Sequence, residues 1–133
     1  MIKPNYITAY LRRHWPHCAE WPIENLRSWV QWFLNHDRAL LVTEKGRLIC
    51  VAFFRMVDDL RECDTNYLDN AKGHIAYIEV TAANRPDAMK AAFNLLCRKV
   101  GSQATHVAWV RGKYGNRPSV YSMTNAARHL SYG

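Results

Sequence analysis

The residues from His74 to Val100 constrain the fold of this chain most strongly. The first eight read His-Ile-Ala-Tyr-Ile-Glu-Val-Thr, a β-branched and aromatic run that is typical of a strand. After a short loop, apolar residues recur at steps of three and four, which indicates an amphipathic helix with one buried face; they are Met89, Ala92, Phe93, Leu96 and Val100. The stretch predicts a strand, a loop and a helix. Backbone N–H groups at the start of such a helix suit an anion.

The chain before this unit predicts two helices and a hairpin. Residues 4–13 and the segment after Pro22 place apolar side chains on one face at helical spacing. At that spacing the tryptophans of the second helix favour a core position over a ligand-stacking one. Residues 39–43 and 47–57 are β-rich and flank Glu-Lys-Gly, so they predict a hairpin with Gly46 at positive φ.

Three further stretches complete the predicted order. Residues 58–73 hold five of the eleven carboxylates and little periodicity, and predict a long, acidic, exposed loop. Residues 105–111 predict a strand parallel to the first, because a strand-helix-strand unit closes with a right-handed crossover. Residues 119–123 predict a short strand and 125–130 a helical turn. Residues 1–133 therefore read as a single α+β domain of order α-α-β-β-β-α-β with a short C-terminal extension.

The net charge of +7 lies entirely in the last third of the chain. Residues 1–87 hold 11 basic and 11 acidic residues, whereas residues 88–133 hold 7 basic residues and no acid. Such a segment suits a nucleic acid, a phosphate-bearing cofactor or an acidic protein, or is a solvated face without a partner. Basic residues 90–128 interleave with Trp109, Tyr114 and Tyr121, as in proteins that combine phosphate contacts with base stacking. No helix-turn-helix, zinc-finger or RNA-recognition signature accompanies them.

Cysteine spacing and hydropathy bear on metal binding and on location in the cell. The four cysteines are scattered and form no Cys-x-x-Cys pair, and the group His14, His17 and Cys18 matches no strong zinc signature, so no metal site is expected. The chain shows neither a signal-peptide pattern nor an apolar run long enough to cross a bilayer. We expect a cytoplasmic protein with reduced thiols and no membrane partner.

The order of elements resembles the GNAT superfamily of acyl-CoA-dependent N-acetyltransferases over residues 4–123. In that family the central strand leads into a loop of form Arg/Gln-x-x-Gly-x-Gly/Ala, whose backbone N–H groups bind the coenzyme A pyrophosphate. Counting from Val80, Arg85 stands at the Arg/Gln position, Ala88 at the first glycine and Lys90 at the second. The chain resembles a trimmed or divergent member, of a kind associated with mobile elements or phage genomes.

The resemblance implies a GNAT-like mixed β-sheet flanked by helices, with acetyl-CoA as cofactor. The implied cofactor-binding residues are Val80, Arg85, Ala88, Met89 and Lys90. Lys90 either crowds the phosphates or pairs with them. Pro86 removes one donor N–H and Asp87 adds a negative charge beside the anion.

The same resemblance implies acetyl transfer to an amine of a small molecule or protein, which needs a base for the ammonium and an acid for the leaving thiolate. Glu79 is the candidate base. By period two it faces the same side as Ile75, Tyr77 and Thr81, and apolar neighbours would raise its pKa. Its alternative role is to pair with a nearby arginine.

Two other residues complete the implied catalytic set. His74, at the start of the strand beside the acidic loop, is a competing base. Tyr121 is the candidate acid, because it lies near the family's tyrosine in the pattern Asn-x-x-Ala-x-x-x-Tyr, although it follows Asn116 by five residues instead of seven. Two other functions stay open, a basic nucleic-acid-binding module and a catalytically inactive GNAT-like scaffold. Affinity that falls steeply with salt would favour the module, and saturable stabilisation by acetyl-CoA would favour the enzyme.

Overall fold

The structure is a computed structural model that describes residues 2–110 and 118–132, with side chains as far as residue 128. The helices are α1 (Pro4–His14), α2 (Ile23–Asn35), α3 (Pro86–Val100) and α4 (Met123–Tyr132). The strands are β1 (Ala39–Glu44), β2 (Arg47–Val57), β3 (Ile75–Ala83), β4 (His106–Val110) and β5 (Pro118–Ser122). Short 3₁₀ helices lie at Pro16–Cys18 and Leu60–Asp64.

The five strands form one sheet in the order β1-β2-β3-β4-β5. Neighbours are antiparallel except β3 and β4, which are parallel and are connected by α3. Helices α1 and α2 cover one face of the sheet, and α3 and α4 cover the other. The predicted α+β class, with a mixed sheet flanked by helices, is confirmed. The C-terminal extension contains both a strand and a ten-residue helix.

Local signals predicted the first half of the sheet well. Lys45 and Gly46 form the tight turn that the sequence predicted between β1 and β2, and their φ values are 53° and 78°. On α2, the Trp29 ring lies 5.1 Å from that of Phe33 and 5.4 Å from that of Phe53 on β2. The predicted core position of this tryptophan is confirmed.

A β-bulge interrupts the pairing of β2 with β3. Phe53 pairs with Val80 and Phe54 pairs with Ile78, so Glu79 is the extra residue. The bulge reverses the alternation of side chains: Ile78 packs on the α3 face, whereas Val80 packs on the α1–α2 face. The period-two expectation that Glu79 and Thr81 face the same side is therefore wrong, because one inserted residue shifts the phase of every residue after it.

The prediction of an exposed loop over residues 58–73 is also partly wrong. Arg55 on β2 is fully buried, and a buried guanidinium needs acceptors for its five N–H groups. The loop supplies four of them as backbone carbonyl oxygens at 2.8–3.3 Å, those of Glu62, Cys63, Thr65 and Leu68. Cys63 is itself buried. The segment is therefore folded over one end of the sheet around a single charge.

Candidate active site

A cavity opens where two parallel strands part. Pairing of β3 with β4 covers Ile75–Ile78 and ends at the Ile78–Trp109 pair, whereas β3 continues to Ala83. We call the space beside residues 79–83 of β3 the strand gap. A cavity of about 800 Å³ surrounds the strand gap and is lined from both faces of the sheet. That volume lies within the range of ordinary small-molecule sites.

The lining divides by the face of the sheet from which each side chain comes. The α3 half is apolar apart from one hydroxyl, and comprises Leu40, Ala52, Ile78, Thr81, Met89, Ala92, Phe93, Leu96, Val107 and Trp109. Val110 also lines the cavity and by alternation along β4 lies on the face of Ala108. The aromatic half lies under α1 and α2, and comprises Trp15, His17, Trp21, Tyr77, Glu79 and Val80. The ionisable groups therefore gather in the aromatic half.

Glu79 lies at the boundary of these halves and is bound by the buried arginine. The Nε of Arg55 donates to its Oε1 at 2.7 Å, and 20% of the Glu79 side chain is exposed. Burial raises the pKa of Glu79, and the neighbouring Arg55 opposes that rise. Among the described residues no side chain or backbone group bonds Oε2, and Glu79 lines the cavity. The two expectations for Glu79, an arginine partner and a carboxylate with a raised pKa, are thus compatible.

The raised pKa of Glu79 makes a testable contribution to stability. Because the folded protein holds this proton more tightly than the unfolded chain, the contribution of Glu79 is greatest below its unfolded pKa and declines as pH rises through the folded one. We expect the stability of Glu79→Gln, relative to the unmodified protein, to increase from pH 4.5 upwards. Urea unfolding of both proteins at a series of pH values measures the difference in their free energies of unfolding. A difference that does not change with pH would contradict the raised pKa of Glu79.

Tyr77 is a further candidate for proton transfer, which the sequence analysis placed only on the same side of the strand as Glu79. It faces the same side of β3 two residues earlier and lines the cavity. Burial raises the pKa of its hydroxyl to about 12, with a further contribution from the Glu79 charge. The Arg55 guanidinium lies 5.3 Å from the centre of its ring. At neutral pH the hydroxyl therefore remains a proton donor, and alternation along the strand was the signal that pointed to it.

The structure places the other two candidates for proton transfer outside the cavity lining. His74 precedes β3 at the end remote from the strand gap, and its Nδ1 lies 3.3 Å from the carbonyl oxygen of Gln103. Tyr121 on β5 stacks on Trp109 with ring centres 4.5 Å apart. Trp109 lines the cavity and Tyr121 packs behind it. Of the three residues, the structure brings only Glu79 to the strand gap.

The five implied cofactor-binding residues are likewise separated. Val80 and Met89 line the cavity. Ala88 is buried against the sheet, because its position on α3 belongs to the core-facing stripe. Lys90 is exposed on the opposite side of the helix. Arg85 occupies the N-cap position of α3, and its side chain forms ion pairs with Glu44 and Asp87.

The junction of β3 and α3 provides few donors for an anion. The N–H of Asn84 donates to the Ile49 carbonyl and that of Ala88 donates to the Arg85 carbonyl, while Pro86 has no N–H. No side chain caps the helix, so its first turn remains accessible to a ligand. With Asp87 and Glu44 both paired to Arg85, a diphosphate here would meet two carboxylates against one guanidinium.

The basic segment is only partly visible in the described residues. Arg111, Lys113, Tyr114, Asn116 and Arg117 lie outside them. Lys99 pairs with Asp37, and the stacked Trp109 and Tyr121 rings pack against the α3 face of the sheet. The described parts of the chain contain no cluster of three or more potential metal ligands. No helix within them is long and apolar enough to span a bilayer.

Comparison with known proteins supports the fold assignment. No protein-family model matches the sequence, and no curated protein does. A solved structure described as the GNAT-like decarboxylase GphF in complex with isobutyryl-CoA is similar, with a TM-score of 0.59 and 12% identity. The match covers 82% of this chain and 63% of that one, so the chain spans less than two thirds of its structural neighbour. From its sheet order, its flanking helices and this similarity, we conclude that the chain has a GNAT-like fold.

Proposed function

We propose that this protein is an acyl-CoA-dependent N-acyltransferase whose reaction takes place in the strand gap. The observation that carries the proposal is the cavity of about 800 Å³ between β3 and β4, which has the Glu79 carboxylate in its wall. The GNAT-like neighbour that contains isobutyryl-CoA supports an acyl-CoA as the donor. A thioester donor supplies an activated acyl group, and the residues of this chain would position it and handle the protons.

The strand gap fits the pantetheine arm of coenzyme A. Beyond Ile78, the β4 side of β3 lacks a strand partner among the described residues, so its backbone can pair with the amides of the arm. Methylene groups of the arm suit the apolar α3 half of the cavity. The junction before α3 fits the diphosphate less well, because proline and paired acids replace a glycine-rich loop. We therefore assign most of the binding energy to the arm.

Acyl transfer to an ammonium removes two protons from the nitrogen, and one proton must reach the sulfur. In our proposal Glu79 Oε2 takes a proton from the acceptor ammonium, directly or through water. The amine lone pair forms the new C–N bond, the C–S bond breaks, and the sulfur keeps its electron pair. Tyr77 lines the same cavity as a protonated phenol and is our candidate donor to that sulfur. The nitrogen then loses its second proton, which restores the phenol of Tyr77. The products are an amide and free coenzyme A, and the proton taken by Glu79 is released to water.

The proposal predicts that acyl-CoA raises the melting temperature saturably and that filling the cavity removes this effect. Met89 lines the cavity and is 40% exposed, whereas the adjacent Lys90 is exposed and does not line it. We expect a stabilisation of about 2.7 kcal/mol at a ligand concentration 100-fold above Kd. Met89→Trp should lose most of this effect, and Lys90→Trp should keep it. Thermal melts with acetyl-CoA and isobutyryl-CoA measure both variants.

A short DNA duplex serves as the second ligand in the same melts. Acyl-CoA stabilisation that survives in Met89→Trp would contradict binding in the strand gap. Stabilisation by the duplex alone, falling steeply with salt, would favour the basic nucleic-acid-binding module instead. The absence of both responses would favour the inactive scaffold.

A further inference from the structure

The wall of the aromatic half is assembled from the connection between α1 and α2. Trp15 and His17 lie at its 3₁₀ turn, and Trp21 lies just before α2. All three side chains line the cavity that contains Glu79 and Tyr77. Packing of α2 on the sheet already has its own aromatic contacts, those of Trp29 with Phe33 and Phe53.

Ring stacking and a second arginine hold this wall in place. Trp15 stacks on Trp29 with ring centres 5.3 Å apart and planes 7° apart, and Trp21 meets Trp15 edge to face at 5.4 Å. Arg12 on α1 donates to the carbonyl oxygens of Cys18, Ala19 and Trp21 at 2.5–2.7 Å. The rings are therefore ordered before any ligand arrives, which lowers the entropic cost of binding.

Glu79 is the one acidic residue among the described residues that line the cavity. Although the protein carries a net charge of +7, the described residues that line the cavity include one carboxylate and no lysine or arginine. The Glu79 carboxylate, which shares one oxygen with Arg55, lines the same cavity as the apolar indole rings of Trp15 and Trp21. An ammonium with an aromatic or apolar body matches both features, whereas a small diamine has no comparable apolar surface to pack on the rings.

We infer that the acceptor is a primary ammonium attached to an aromatic or bulky apolar group, with the group against Trp15 and Trp21 and the ammonium at Glu79. The inference rests on the proposed function, and it names the acceptor class for the same cavity. Packing of an aromatic group on the indole rings is worth roughly 0.5–1.5 kcal/mol beyond the area that it buries. It would add to the attraction of the Glu79 carboxylate.

The test is a fluorescence titration of the unmodified protein without acyl-CoA. The probes are phenethylamine, its neutral counterpart 2-phenylethanol, and the polar diamine putrescine, at pH 7.5, where the amines are protonated. We expect saturable quenching by phenethylamine with Kd at least about tenfold below that of either other probe. Equal affinity for 2-phenylethanol would overturn the role of charge. Equal affinity for putrescine would overturn the role of the rings.

Two tryptophan variants locate the binding site. Trp21→Leu should weaken phenethylamine binding by about tenfold. Trp32→Leu should leave it unchanged, since Trp32 packs on Phe33 and His36 outside the cavity lining. Equal effects of the two variants would overturn the assigned site. If a variant does not fold, the comparison of the three probes in the unmodified protein still tests the acceptor class. Stabilisation by acyl-CoA without selectivity for phenethylamine refutes this inference alone, whereas selective amine binding without acyl-CoA stabilisation refutes the transferase.

Discussion

Replacing Arg55 with methionine is expected to lower the free energy of unfolding by about 3–5 kcal/mol, the cost of removing one partner from a buried ion pair. The Arg55 side chain is fully buried, and it donates to Glu79 and to four backbone carbonyls of the loop over residues 58–73. The methionine would leave those carbonyls and the Glu79 carboxylate without their donor. Urea unfolding followed by circular dichroism measures the loss.

Arg61 provides the matched control for this prediction. It pairs with Asp59 on the surface, with 92% of its side chain exposed. Arg61→Met should therefore change the unfolding midpoint little, because an exposed pair of this kind stabilises weakly. Similar midpoints for Arg55→Met and the unmodified protein would show that the loop does not depend on the buried guanidinium. Arg55→Met should also raise the pKa of Glu79 further, since it removes the charge that opposes the effect of burial.

The second large effect is expected on catalysis. Glu79→Gln should reduce kcat for acyl transfer by about 10²-fold or more, which is the usual contribution of a positioned general base. The amide keeps the shape of the side chain but cannot take the proton. Release of free thiol from acetyl-CoA in the presence of a panel of amines measures the rate. Glu24→Gln, at an exposed position in the first turn of α2, is the control and should retain full activity.

The pH profile separates a base from a structural partner. In the unmodified protein kcat should fall as pH decreases through the raised pKa of Glu79, because the protonated carboxyl cannot accept the ammonium proton. In Glu79→Gln that inflection should vanish while KM for acetyl-CoA changes little. Activity of Glu79→Gln within about threefold of the unmodified protein would exclude this residue as the base.

The elements of this fold could be predicted because their signals are local. The helical stripe of α3 and the tight turn at Gly46 each depend on residues close together in the chain. The bulge at Glu79 could not be predicted in this way. It is defined by the pairing of Phe53 and Phe54 on another strand, and a period-two count along β3 alone assigns Thr81 to the wrong face.

Prediction of the candidate site was limited for the same reason. Glu79 was found from its place in an apolar strand, but its partner Arg55 lies 24 residues earlier and the other acceptors come from the intervening loop. Trp15 and Trp21 belong to a short connection whose sequence does not reveal where it packs. The loop motif of the GNAT resemblance pointed to Ala88 and Lys90, which lie respectively in the core and on the surface. The cavity between the strands depends on tertiary structure as a whole.

A crystal structure with acetyl-CoA tests the central claim most directly, because it locates the thioester relative to β3 and β4. We predict that the pantetheine arm lies in the strand gap along residues 79–83 of β3, with the thioester beside Glu79 and the apolar α3 half around the arm. Bound acetyl-CoA that lies elsewhere on the protein, with the cavity between the two strands left unfilled, would contradict the account.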